Sequence, residues 1–174
     1  MTGRSETPLP RGDRIPQIAG LVRASGHRGI EAKMEILGIG TDIVECPRIG
    51  KMIEQHGELF LRRVYCEREI RYCQARKHAI EHFAGRWAAK EAILKAIGTG
   101  WSRGISWTDM EVRNEPGGQP RVLICGGAKE EAVQRGIGDI LISISHCRTY
   151  ATAYALAIGP GPSRARANGA GEGD

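Results

Sequence analysis

Long apolar runs are missing from this 174-residue chain, and no hydrophobic stretch follows its early arginines. A membrane-spanning helix takes about 20 apolar residues and a secretory leader needs an apolar core, so neither insertion nor secretion is expected. Paired cysteine motifs are missing too. The five cysteines, at 46, 66, 73, 125 and 147, are odd in number and show no C-x-x-C spacing. That speaks against a disulfide framework or a zinc site and suits small, mostly core-bound thiols in a reducing cytoplasm. Aromatics are only 5% of the chain, and they do not alternate with basic residues in the way that stacks nucleobases.

The formal charge of +5 is concentrated at the N-terminus. Residues 1–33 hold six basic and three acidic residues and residues 159–174 hold two of each, which leaves a net of only +2 between them. A nucleic-acid module is therefore not expected, because the basic excess is largely a property of one end. Both ends are rich in Gly, Pro, Arg and Ser without sustained periodicity. They read as a disordered N-terminal extension (1–33) and a disordered C-terminal tail (159–174) around one domain, 34–158. Met34, directly before the first expected strand, is a candidate translation start.

Within the domain the first expected strand covers about 35–44. Pro47 suits the first turn of a helix to about Gln55, with Gly57 as its stop. Cys66-Glu-Arg-Glu69 has the spacing of a capping box and opens a helix to about Arg76. A long helix covers roughly 78–97, apolar on most sides, and ends at Gly98-Thr-Gly100. A hairpin follows, with arms 108–113 and 121–125, then a short helix at 128–135, and a second hairpin with arms 140–145 and 150–158. The expected class is α+β: two β-α-β-β units, a largely antiparallel sheet and one long central helix.

Two carboxylates stand out. Ile80, Ala84, Trp87, Glu91, Leu94 and Gly98 fall on one helical stripe in which Glu91 alone is charged. A buried carboxylate needs a cation, a proton or a metal, although an i, i+4 pair with Lys95 is an ordinary alternative. Asp42 shares a strand face with Ile36, Gly38, Gly40 and Val44, and strand glycines often mark close backbone approach. Its ordinary reading is a strand-end cap. With Arg86, Lys90 and Lys95 on neighbouring faces, the two acids suit a hard cation held against a phosphorylated ligand. Each of those cations also reads as a solvated charge. His146, ending an isoleucine face, reads more readily as a structural residue than as a ligand, and the Gly98–Gly100 loop is weak evidence for phosphate binding by itself.

Gly38-Ile-Gly-Thr-Asp-Ile-Val-Glu45 with Arg48-Ile49, Phe83-Ala-x-Arg-x-Ala-Ala-Lys-Glu-Ala92, Lys95-Ala96, Gly98-Thr-Gly100 and Ile144-Ser-His146 resemble the holo-[acyl-carrier-protein] synthases. These are the short bacterial type of 4′-phosphopantetheinyl transferase. The match runs in order over residues 35–158, with Trp87 where that family usually has Phe, and with Pro47 and Cys147 as further departures. The resemblance implies transfer of 4′-phosphopantetheine from coenzyme A to a serine of apo acyl carrier protein, with release of adenosine 3′,5′-bisphosphate. It further implies Mg²⁺ on Asp42 and Glu91, Glu91 as acceptor of the serine proton either directly or through a metal-bound water, and Lys95 neutralising phosphate charge. Arg86, Lys90, Lys95, Gly98, Gly100 and His146 would contact coenzyme A. A homotrimer with the coenzyme between subunits is implied as well, so that His146 serves a neighbour's site. Acidic carrier proteins would meet Arg48, Lys51, Arg62 and Arg63. A coenzyme A binder without transfer activity is the competing class, and the intact acid pair argues against it.

Overall fold

The computed structural model describes residues 34–100 and 104–160. The extension expected over 1–33, and the expected tail beyond residue 160, lie outside them.

The chain opens with β1 (Glu35–Glu45) and three helices, α1 (Cys46–Val64), α2 (Glu67–Gln74) and α3 (Ala79–Ile97). A single 3₁₀ turn (Trp107–Asp109) then leads into the hairpin of β2 (Met110–Asn114) and β3 (Pro120–Ile124). Helix α4 (Gly126–Gln134) and the hairpin of β4 (Asp139–His146) and β5 (Tyr150–Gly159) complete it. Every pairing is antiparallel: β1-β5-β4 form one sheet and β2-β3 a second. The expected α+β order and class are both observed.

Small residues decide how these layers meet. Ala151, Ala153, Ala155 and Ala157 give β5 a flat inner face that is fully buried. On β1, a Cβ placed on Gly40 would overlap the main-chain oxygen of Ala92, and one on Gly38 that of Ala96. Helix α3 therefore lies with its main chain directly on the strand, which is the close approach the two glycines suggested. From Phe83 to Ile97, α3 is buried except at Trp87, Glu91 and Lys95. Those three recur at i, i+4 and so form one open stripe along an otherwise enclosed helix.

That stripe corrects the expectation for Glu91. It is half-buried, on the one face of α3 that the core does not cover, rather than a charge sunk in an apolar stripe. A second correction concerns β1. The register slips between Ile36 and Gly38, leaving Leu37 as an extra residue. One extra residue reverses the alternation of side chains, so Ile36 leaves the face of Gly40 and Asp42 and is 68% exposed. A third concerns α1. Gly57 breaks the helical path (φ 54, ψ −132), but the helix resumes and runs to Val64. At the end of α3, Gly98 takes the expected left-handed conformation (φ 82), its N–H donating to Leu94 O.

The outer face of the three-stranded sheet is unusually apolar. Ile36, Ile39 and Ile43 of β1, Leu141 of β4, and Tyr150 and Tyr154 of β5 are all exposed there.

Candidate active site

Asp42 reaches the site because the Gly38–Gly40 contact presses β1 onto the last turns of α3. Lys95 Nζ donates to Asp42 Oδ1 at 2.8 Å and to the main-chain oxygen of Thr41 at 2.8 Å. Glu91 lies one helical turn before Lys95 on the open stripe of α3. Strand and helix thus bring a carboxylate–ammonium pair and a second carboxylate to one edge. Beside them, Met52, His56, Leu59, Phe60 and Arg63 of α1 face Trp87 and Glu91 of α3 across a cleft of about 550 Å³. Its floor is aromatic: Trp87 stacks on Phe60 at 5.9 Å and lies 4.7 Å from Trp107. Glu91 is the acidic group lining this otherwise apolar and basic wall.

Oxygen ligands in this arrangement fit a hard divalent cation. Mg²⁺ commonly takes one or two protein carboxylates and completes its shell with water and phosphate oxygens. Asp42, paired with Lys95, and Glu91, lining the cleft, are the carboxylates at this edge, and among the described residues no group of three or more His, Cys, Asp or Glu gathers where a metal ion could sit.

Arg86 and His146 lie elsewhere. Five residues along a helix is a rotation of about 140° beyond a full turn, so Arg86 leaves α3 on a different side from Glu91. It lines a cavity of about 130 Å³ with Tyr72, His82, Asn114, Ile144 and His146. Arg86 is only 4% exposed. Its guanidinium donates to Asn114 Oδ1 at 2.8 Å and lies over the Tyr72 ring at 4.0 Å. His146 Nδ1 is 3.3 Å from Glu81 Oε2, and its ring meets that of His82 edge-on at 4.9 Å. Burial, together with the neighbouring His146 and Arg86, lowers the pKa of His82. Gly98 and Gly100 sit at the exposed exit of α3, both with positive φ.

Lys90 is a correction. Expected at the coenzyme, it is fully buried, with Nζ 2.7 Å from Glu69 Oε2. The same ammonium donates to the main-chain oxygens of Val64 at 2.7 Å and Trp107 at 3.0 Å. All three donors of the ammonium are occupied inside the core, so it has none to offer a ligand. Its partner Glu69 accepts from the N–H groups of Cys66 and Val112. The expected capping box of Cys66 and Glu69 is present, and the Cys66 thiol donates to Thr108 O as well. Burial pushes that thiol up to about 11, and the Cys73 thiol up to about 12.

The basic residues expected to face a partner are all exposed on α1. Arg48 and Lys51 precede the Gly57 break, and Arg62 and Arg63 follow it. Arg62 pairs with Glu58 at 2.6 Å, whereas Arg63 lines the cleft with Glu91. Sequence reasoning placed Glu69 in the capping box but missed its pairing with Lys90, and it missed Glu81, which bonds His146. It also missed Met52, His56 and Leu59, which carry no pattern beyond an amphipathic helix.

The comparisons agree with this geometry. The profile of the 4′-phosphopantetheinyl transferase superfamily matches residues 38–157. A holo-[acyl-carrier-protein] synthase of Koribacter versatilis is 50% identical over 118 residues, covering 68% of this chain and 94% of that one. Among solved structures, the holo-ACP synthase of Plasmodium yoelii is 35% identical with a TM-score of 0.64, covering 73% of this chain and 98% of that one. The Bacillus anthracis holo-(acyl-carrier-protein) synthase, solved in complex with CoA (3′,5′-ADP), is 36% identical with a TM-score of 0.59, covering 73% and 99%. An α+β frame matched over residues 38–157 and over nearly the whole length of these relatives is that of a transferase. The chain belongs to the 4′-phosphopantetheinyl transferase superfamily.

The buried pair yields a stability prediction. Lys90→Met strands the Glu69 carboxylate in the core and should cost about 3–5 kcal/mol in urea unfolding. Adding Glu69→Gln should recover part of that loss. A double variant no more stable than Lys90→Met would show that the two charges are not coupled.

Proposed function

We propose that the chain transfers 4′-phosphopantetheine from coenzyme A to a serine hydroxyl of an apo acyl carrier protein, in a Mg²⁺-dependent reaction that releases adenosine 3′,5′-bisphosphate. The observation that carries this reading is the meeting of Asp42, Lys95 and the Glu91 stripe at the β1–α3 edge, in a chain of this superfamily. Asp42 and Glu91 would hold the cation, which when bound offsets charge on the pyrophosphate. Lys95 is half exposed at its side chain and rotatable, so it can turn from Asp42 toward a phosphate oxygen. Glu91 takes the serine proton as the hydroxyl oxygen bonds to the phosphorus of the pantetheine phosphate. The bond from that phosphorus to the bridging oxygen breaks, and the electron pair leaves on adenosine 3′,5′-bisphosphate.

The working form in this reading is a homotrimer with coenzyme A between subunits. Two observations support it. The apolar outer sheet face of Ile36, Ile39, Ile43 and Tyr154 suits burial against another copy. The Arg86–His146 cavity, about 130 Å³, is smaller than the roughly 300 Å³ at which ligand pockets begin. A nucleotide gripped there needs walls from elsewhere, and the separation of His146 from Glu91 on α3 suits service to a neighbour. Gly98 and Gly100 would admit phosphate near Lys95. Arg48, Lys51, Arg62 and Arg63 would meet the acidic carrier protein, with Arg63 nearest the chemistry. Residues 34–158 form the catalytic domain in this reading, placed in the cytoplasm and serving fatty-acid synthesis.

Asp42→Ala and Glu91→Gln should each lower transfer by at least ~100-fold while leaving the far-ultraviolet circular dichroism unchanged. Measured as the phosphopantetheine mass increment on an apo carrier protein, near-normal activity of Glu91→Gln at ordinary Mg²⁺ would overturn the assignment.

Charge reversal on α1 separates docking from chemistry. Arg48→Glu or Lys51→Glu should raise KM for carrier protein more than KM for coenzyme A. That effect should shrink at high salt, since screening weakens the attraction in the parent as well. Equal effects on both substrates would place the docking surface elsewhere. For the assembly, Ile39→Glu should reduce the trimer to smaller species in analytical sedimentation, and a parent chain that sediments as a monomer at micromolar concentration would refute it.

A further inference from the structure

Two cysteines meet where α1 begins and the β4–β5 turn ends. Cys46, the first residue of α1, is 1% exposed, and its N–H donates to Thr149 O at 2.8 Å. Its sulfur lies 3.5 Å from the main-chain oxygen of Cys147, across 101 positions of sequence. Cys147 follows His146, and its own N–H donates to Tyr150 O at 2.8 Å, closing the turn. The Cys147 sulfur is exposed and accepts from the Tyr150 N–H at 3.5 Å. One thiol is thus open to solvent and supported by main-chain donors, and the other waits behind it against the same four-residue turn. A cavity of about 550 Å³, lined by Cys46, Arg148, Lys77 and Glu81, opens beside them.

The other three cysteines lack this arrangement. Cys73 is buried, Cys66 is half-buried and bonded to Thr108 O, and Cys125 is exposed at the N-cap of α4, after β3. The electrostatics agree with the geometry: hydrogen bonds from Tyr150 and Thr149 lower the Cys147 pKa, and burial raises that of Cys46. Thiolate character and exposure select which cysteine an oxidant attacks first, and a second thiol in reach decides whether the product is a disulfide.

We propose that Cys147 and Cys46 form a peroxide-reactive pair, Cys147 being oxidised first and Cys46 resolving it. The Cys147 thiolate attacks one oxygen of hydrogen peroxide, the O–O bond breaks, and hydroxide leaves to become water. Cys46 sulfur then attacks the resulting sulfenic acid at the Cys147 sulfur; the S–O bond breaks, and the departing hydroxide takes the remaining proton. Two thiols are oxidised to one disulfide by two electrons, and one peroxide is reduced to two waters. The bond fastens the first turn of α1 to the turn beside His146. The chemistry is independent of the transferase reading.

The full chain, treated with one equivalent of hydrogen peroxide, alkylated without reductant and proteolysed, should yield a peptide linking Cys46 to Cys147. That peptide should be absent after dithiothreitol. In Cys46→Ala, peroxide should stall at the Cys147 sulfenic acid, giving about tenfold more dimedone adduct than the parent. Cys147→Ser, altered only at an exposed side chain, should form no link and leave Cys46 reduced. Cys147 recovered as sulfinic acid without a link in the parent, or joined to Cys125 or to a second chain, would overturn the pairing. So would a Cys147 left reduced while Cys125 is oxidised.

Discussion

The contact between α3 and β1 governs the rest of the molecule. Gly38 and Gly40 leave no side chain between the strand and the carbonyl oxygens of Ala96 and Ala92, and the alanine face of β5 continues the same bed. Larger side chains at these positions would hold the layers apart, since packed interiors tolerate little added volume. That separation would also break the site, because Lys95 reaches Asp42 across this junction at 2.8 Å. Fold and chemistry therefore depend on the same few small residues. This is why a strand carrying glycines at its centre is nonetheless the anchor of the sheet.

Much of the architecture was legible because it rests on local chemistry. Pro47 in the first turn of α1, Gly98 at the left-handed end of α3 and the glycine–proline turn between β2 and β3 mark their elements without reference to the rest of the fold. Asp42 and Glu91 drew notice for a different reason, because each interrupts an apolar pattern in the sequence, although Glu91 lies on the open stripe of α3 and not in the core. What remained hidden depends on how elements meet. The bulge at Leu37 inverts a face by one residue of register, and no periodicity announces it. Gly57 was read as a stop, but the chain after it folds back into helix as Phe60, Leu61 and Val64 enter the core.

Lys90 shows the limit most clearly. It sits beside Glu91 in the same motif, and sequence proximity suggested a shared role with the ligand-facing cations. A rotation of 100° per residue separates the two side chains, so that one faces the cleft and the other the core. The Lys90 ammonium gathers Val64 at the end of α1, Glu69 on α2 and Trp107 before β2 onto α3. Such a hub is invisible until the helices are assembled, because its partners lie far away in sequence. Breaking it removes a structural cross-brace, whereas in the proposed reading altering its neighbour removes chemistry.

The enclosure of α3 bears on how this scaffold can change over time. Its amides, covered on nearly every side, should exchange with solvent deuterium only through opening of the whole domain. The stripe of Trp87, Glu91 and Lys95 is thus mounted on the most enclosed helix among the described residues. The facing wall is the reverse: α1 is interrupted at Gly57, and the residues it sends to the cleft, such as His56 and Leu59, sit on either side of that break. In the proposed reading, partner preferences can change on the jointed wall while Glu91 and Lys95 stay fixed on α3. Adaptation and chemistry occupy opposite banks of one cleft, with very different tolerance for substitution.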